Sequence, residues 1–191
     1  LIMIKGGVVV YPTDTAYALG ADPANAEAIA KIYKIKGRSK SKALPLIAGS
    51  RAMVFKFFKL GETEQKLTRK YWPGPLSLIL ELRIKNYELR KGHSNIPRNV
   101  GMTSLAVRVP KNRIAREISK LFGRPIISTS ANVSGKGELY SAREVYEQFK
   151  DRKYKPDLIL DAGRLPKRKP STIIKVENGI VVILRQGPIK L

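Results

Sequence analysis

The sequence predicts an α/β domain built on a mixed sheet, with both parallel and antiparallel strand pairs. Three observations predict it. Short apolar runs alternate with amphipathic stretches along the whole chain, the pattern of strands joined by helices. Asn178-Gly179 separates the alternating runs 172–176 and 180–184, and this dipeptide accepts the positive φ angles of a two-residue hairpin, which requires an antiparallel pair. Polar motifs stand at the ends of the apolar runs, where strands hold position and loops carry chemistry.

Residues 7–11 read as the first strand. Asp22 is placed to cap a helix with Pro23 at its first position, and Ala26, Ile29, Ala30, Ile32 and Tyr33 recur at helical spacing until Gly37 stops them. A strand follows at 44–48. Residues 51–60 and 62–72 form two short helices ended by Pro73-Gly74-Pro75, after which 76–82 alternates as a strand. The polar stretch 84–103, with Lys85, Lys91, Gly92 and Asn95, reads as a mobile excursion and the candidate lid. Residues 105–109 are a strand ended by Pro110, and Ile114, Ile118, Leu121 and Phe122 make one helix face ended by Gly123. A strand at 125–129 enters the serine-rich loop 130–137. Ser141 with Glu144 three places on is a capping-box spacing for a helix at 141–150, and 158–160 reads as a buried strand.

The chain has 191 residues, enough for one domain over 1–191 with a full core, and its hydrophobic fraction of 43% is that of a globular protein. No apolar run approaches the ~20 residues of a membrane helix, and Leu1-Ile2-Met3-Ile4-Lys5 lacks the features of a signal peptide, so a cytoplasmic protein with no membrane contact is expected. The absence of cysteine excludes disulfides, thiolate catalysis and cysteine metal sites. His93 is the only histidine, so no histidine cluster can hold a metal, and it reads as an exposed loop residue. The charge is the outlier. Lys plus Arg number 37 against 15 Asp plus Glu, a formal net charge of +22 that favours polyanions by long-range attraction, or else marks a solvated lysine-rich surface. No helix-turn-helix, zinc finger or aromatic single-strand platform sharpens that into an RNA-binding motif.

The chemistry-bearing groups are hydroxyls, amides and cations. Lys36-Gly37-Arg38 puts two cations on a turn relieved by glycine, able to clamp phosphate or carboxylate, although no P-loop string occurs in the chain. Ser128 to Gly135 offers hydroxyls, an amide and backbone N–H groups where a strand gives way to a loop, an arrangement shared by anion sites and by plain serine turns. Arg108, inside the apolar run 105–109, must reach solvent or meet a buried anion. Asp14 and Asp161 either position a cation or cap turns, Asp161 the latter because it precedes Ala162-Gly163.

Taken in order, Tyr11-Pro12-Thr13-Asp14-Thr15-Ala16-Tyr17-Ala18-Leu19-Gly20, Lys36-Gly37-Arg38, Tyr71-Trp72-Pro73-Gly74-Pro75, Ala106-Val107-Arg108-Val109-Pro110, Ser130-Ala131-Asn132-Val133-Ser134-Gly135 and Ser171-Thr172 with Arg185 and Gly187 resemble the YrdC/TsaC family of L-threonylcarbamoyladenylate synthases. The resemblance spans essentially the whole chain. It implies a twisted mixed sheet with a basic concave face. It also implies a nucleotidyl transfer in which L-threonine, bicarbonate and ATP, with Mg2+ on the phosphates, give threonylcarbamoyl-AMP and pyrophosphate. That is the first step of N6-threonylcarbamoyl modification of adenosine 37 in tRNA. By the same resemblance Thr15, Arg108, Ser130 and Ser171 hold threonine and the carbamate. Lys36, Arg38, Lys42, Ser104, Asn132, Ser141 and Arg185 hold ATP, with Lys36 and Arg38 as the catalytic cations and no metal ligand on the protein. A tRNA threonylcarbamoyl transferase complex is the implied downstream partner, and the basic face leaves room for a weak tRNA contact.

The chain also departs from the family pattern. Ser39 stands where many members have proline, and Ile47 where longer members have histidine, which leaves a divergent paralogue as a rival reading, while the net charge leaves a non-catalytic RNA-binding module as another. The sequence ends soon after Arg185, so the linker and second domain of longer members are expected to be absent, and Leu1 points to an unusual start or a trimmed end.

Overall fold

The computed structural model describes residues 2–83 and 104–191, so the lid expected at 84–103, with His93, Lys85, Lys91, Gly92 and Asn95, lies outside the described residues. Two sheets carry the site. The first has strand order β7-β2-β1-β8, formed by β1 (Val9–Pro12), β2 (Tyr17–Gly20), β7 (Thr129–Ser130) and β8 (Leu158–Ile159). The second runs β10-β9-β4-β5-β3-β6, with β3 (Leu46–Ile47), β4 (Leu76–Glu81), β5 (Ser104–Arg108), β6 (Ile126–Ile127), β9 (Thr172–Glu177) and β10 (Ile180–Arg185). Helices α1 (Ala26–Lys36), α2 (Arg51–Phe57), α3 (Glu62–Tyr71), α4 (Arg113–Phe122) and α5 (Ala142–Phe149) connect them.

Both pair types are present. β1 is antiparallel to β2 and parallel to β8; β4 is antiparallel to β5 and parallel to β9. At the hairpin between β9 and β10, Asn178 and Gly179 have φ of 50° and 80°, the left-handed values that the Asn-Gly pair accepts.

The expected strand at 125–129 is two strands. β6 pairs with β3 in the second sheet and β7 with β2 in the first, and between them the Ser128 amide donates to Pro45 O at 2.9 Å. The backbone changes sheets at Ser128, which draws the two sheets together at one point. β2 was not expected as a strand. All four of its residues are buried, so it lacks the alternation that marks a half-buried strand.

Other boundaries are corrected by local chemistry. The N-cap of α1 is Asn25, whose side chain accepts from the Ala28 amide at 2.9 Å, and not Asp22. Asp22 caps its own turn through the Ala24 amide and pairs with Arg124 at 2.8 Å. Helix α2 stops at Phe57 because Phe58 is extended and bridges to Leu82. Strand β8 is not buried as expected: it is an edge, and Leu158 is 38% exposed. The capping box at Ser141 and Glu144 forms as the spacing predicts, and Asp161 caps a turn by accepting from the Gly163 amide.

The main core gathers Ile32, Phe58, Trp72, Leu78, Val107 and Phe149, and a second cluster of Tyr11, Ile47, Ala115 and Ile126 lies under α4. Each fully buried large side chain contributes about 1.5–3 kcal/mol by leaving water. Trp72, the only tryptophan, is buried and donates its indole N–H to Leu76 O at 2.6 Å.

Candidate active site

A cavity of about 320 Å3 opens between the sheets. The first sheet contributes Thr15, from the β1–β2 turn, and Ser130, from the end of β7. The second contributes Ser77, Ser104, Arg108 and Arg185, and the connecting segments add Arg38, Glu138 and Ser171. Seven of the residues singled out from the sequence therefore share one lining: Thr15, Arg38, Ser104, Arg108, Ser130, Ser171 and Arg185.

The turn that presents Thr15 is built by Thr13, whose hydroxyl donates to Ala16 O at 2.7 Å and accepts from the Thr15 amide at 3.1 Å. Between them Asp14 turns inward to Arg108. The Arg108 guanidinium donates to Asp14 Oδ1 at 2.5 Å and to Thr15 Oγ1 at 3.4 Å, and both charged side chains are almost wholly buried. The strand cation thus meets an anion and still faces the cavity.

Elsewhere in the lining the hairpin holds Arg185 against the chain before β9. Its Nε and Nη2 donate to Ser171 O at 2.9 and 2.7 Å, and Nη2 also donates to Ser171 Oγ at 3.0 Å. The Ser171 hydroxyl in turn lies 2.9 Å from that of Ser77 on β4, a lining residue the sequence did not suggest because one serine in an alternating strand carries no signal.

Lys36, Lys42, Asn132 and Ser141 do not line the cavity. Lys36 is buried and works from behind, its amine donating to Ser130 O at 2.6 Å, Asn132 O at 3.0 Å and Asn132 Oδ1 at 3.1 Å. Burial first, and then the Arg38 charge, bring its pKa down to about 8. Gly37, at φ 58°, lets the chain leave α1 so that Arg38 enters the lining, where Nη2 donates to Ala43 O at 3.2 Å and Nε is buried without a partner. Asn132 accepts from Ser130 Oγ at 2.6 Å and donates to Lys136 O. Lys42 is exposed, and the Ser141 hydroxyl accepts from the Glu144 amide as a helix cap.

Two further features bear on the chemistry. Ile47, one of the two departures from the family pattern, is a buried apolar part of the wall. Glu138 was missed altogether, its only sequence signal being a lone acid between the serine-rich loop and Ser141. Burial pushes its carboxyl up, against the opposing pull of Arg185, Arg108 and Lys36. Among the described residues no three acidic, histidine or cysteine side chains gather as a metal site.

Known proteins share this sequence pattern and fold. The Sua5/YciO/YrdC family, described as "Telomere recombination", matches residues 2–187. The chain belongs to that family. Within it, a threonylcarbamoyl-AMP synthase of Idiomarina loihiensis is 33% identical over 181 residues, which are 93% of this chain and 91% of the relative. The Sua5 structure of Pyrococcus abyssi complexed with L-threonine superposes with a TM-score of 0.83 at 32% identity, covering 97% of this chain and 52% of that one. YciO of Escherichia coli superposes with a TM-score of 0.81 at 27% identity, covering 98% and 86%. The chain therefore spans about half of the archaeal Sua5 protein and most of the shorter family members.

Proposed function

We propose that this chain is an L-threonylcarbamoyladenylate synthase, joining L-threonine, bicarbonate and ATP into threonylcarbamoyl-AMP and pyrophosphate. The observation that carries the reading is the lining itself: three arginines and a ring of hydroxyls around one cavity, in a family whose named members include threonylcarbamoyl-AMP synthases.

In this reaction a carbamate oxygen attacks the α-phosphorus of ATP and pyrophosphate leaves. Both partners are anions, so the protein must first offset their repulsion. Arg38 and Arg185 would take phosphate oxygens, assisted by Mg2+ arriving with the nucleotide. Arg108 would hold the threonine carboxylate or the carbamate, its orientation fixed by Asp14. Thr15, Ser130 and Ser171 would bond the remaining polar atoms of the amino acid, and a site built to bond a hydroxyl rejects analogues lacking it. Lys36 and Asn132 would hold the Ser130 turn in register. Ser104 would contact the nucleotide, and Lys42 and Ser141 could reach it only from outside the lining described.

No nucleophile is needed, in accord with a chain without cysteine. Positioning of this kind supplies ~7–11 kcal/mol when geometry is right. The product is a reactive mixed anhydride, so a transferase that passes the threonylcarbamoyl group to tRNA would consume it. Mass spectrometry of the protein incubated with ATP, threonine and bicarbonate tests the reading. Threonylcarbamoyl-AMP that forms only with all three is expected, and its absence overturns the proposal.

A further inference from the structure

The cavity has one carboxylate. Glu138 is the only acidic side chain among the described residues of the lining, and Arg38, Arg108 and Arg185 share that lining. Among the described residues no cation comes within ion-pair range of it, and its one hydrogen-bond partner is the Tyr140 hydroxyl at the long distance of 3.4 Å. Asp14, outside the lining, already accepts from Arg108 and from the Lys111 amide.

An unpaired, half-buried carboxylate is unfavourable by itself and repels the phosphate and carboxylate groups that the arginines attract. Arg185, Arg108 and Lys36 favour its charged form without closing an ion pair, and a ligand that brings a cation supplies the close partner it lacks. Of the substrates in the proposed reaction, on which this inference rests, one has a cationic group.

We propose that Glu138 receives the α-ammonium of threonine and takes its proton when the carbamate forms. The ammonium gives one proton to the Glu138 carboxylate and becomes a neutral amine. The amine nitrogen bonds to the carbon of bicarbonate, the bond from that carbon to its hydroxyl breaks, and the departing hydroxide leaves as water with the second amine proton. Charge and atoms balance, with a protonated Glu138 and the carbamate anion as products. The half-buried setting that raises this carboxyl suits it to hold the proton. Arg108 and Ser130 on the same lining would bind the carboxylate and the hydroxyl, so three groups of threonine would be read at once. A magnesium ligand is the competing role for a lone carboxylate beside phosphates.

The experiment measures pyrophosphate release by the wild-type protein, Glu138→Gln and Glu138→Asp. Calorimetric titration with L-threonine accompanies it, as does titration with 2,3-dihydroxybutyrate, which has a hydroxyl in place of the amine. Glu138→Gln should raise the KM for threonine about tenfold or more, the scale of a lost bond to a charged group, and change that for ATP less than about twofold. It should also weaken threonine binding while leaving dihydroxybutyrate binding as it was. Glu138→Asp should recover part of the threonine affinity. Threonine affinity unchanged in Glu138→Gln, with melting temperature unchanged, overturns the proposal, as does a shift confined to the magnesium requirement. Equal weakening of both ligands assigns Glu138 a structural part and overturns it as well. A wild-type protein that releases no pyrophosphate from the three substrates is a failure of the proposed reaction. Glu138 then stands or falls on the two titrations alone, and no threonine binding at all overturns its role too.

Discussion

The Lys36 amine donates hydrogen bonds to oxygens of the Ser130–Asn132 turn, and burial brings its pKa down to about 8, so its charge changes around that pH. Pyrophosphate release should fall as pH rises through about 8, where the charged donor is lost. Lys36→Met should lower turnover about tenfold or more and abolish that alkaline limb; a wild-type profile flat from pH 7 to 9 would refute the link. Stability runs the other way. A lysine depressed below its unfolded value of 10.5 contributes stability that is full above 10.5 and is lost as pH falls through about 8, so melting temperatures should not fall with activity on that limb. Arg108 poses a different test because its Asp14 partner is buried with it. Arg108→Lys keeps the charge and loses the fork that reaches both Asp14 and Thr15, so the KM for threonine should rise far more than that for ATP. Arg108→Ala strands a buried carboxylate and should destabilise by about 3–5 kcal/mol. Kinetics for each substrate beside a melting curve separate these effects, and equal losses for threonine and ATP would remove Arg108 from the threonine site.

At the level of elements, the β9–β10 hairpin aims Arg185, and Gly187 just beyond it lies against the chain before β9. A side chain at 187 would collide with Pro170 O and Thr172 N, backbone atoms that cannot swing aside. Gly187→Ala should therefore destabilise by about 1–3 kcal/mol and, by moving Ser171 off Arg185, reduce activity beyond what the lower melting point explains. Ser141 offers the converse case. Its hydroxyl caps α5, so Ser141→Ala should cost about 1 kcal/mol, a fall of roughly 2–4 °C in Tm. If capping is its whole role the KM for ATP will not change, whereas a rise of several-fold restores the ATP contact expected from the family resemblance. These elements also explain what the sequence revealed. The Asn-Gly hairpin, the capping box and the glycine stops of α1 and α4 were legible because their signals are local. Strand β2 was not, because full burial removes its alternation, and the break at Ser128 and the inward turn of Asp14 were not, since each depends on a partner far along the chain. In the site, the hydroxyls and arginines were legible as motifs, while Ser77 and Glu138 enter the lining only through folding.

Across the whole molecule the excess of cations has an exposed reservoir beside the site: Arg164, Lys167, Arg168 and Lys169 lie on the exposed loop that leads to Pro170 and Ser171 of the lining. A tRNA contact made by such a loop would be electrostatic. Binding should weaken steeply between 50 and 200 mM salt with little preference for sequence, as expected for contacts to phosphate. Replacing these four cations with glutamine should flatten that salt slope, and a slope left unchanged would locate any contact elsewhere. The variants proposed above all require an independent reading of whether the fold survives, and the position of Trp72 supplies one. Because it is the sole tryptophan, buried in the main core beside β4 and not itself part of the cavity lining, its fluorescence has a single origin. Emission should be blue in the native protein and shift red in one step as the core opens, while substrates leave it almost unchanged. The molecule thus has a built-in optical gauge of folding that needs no added label.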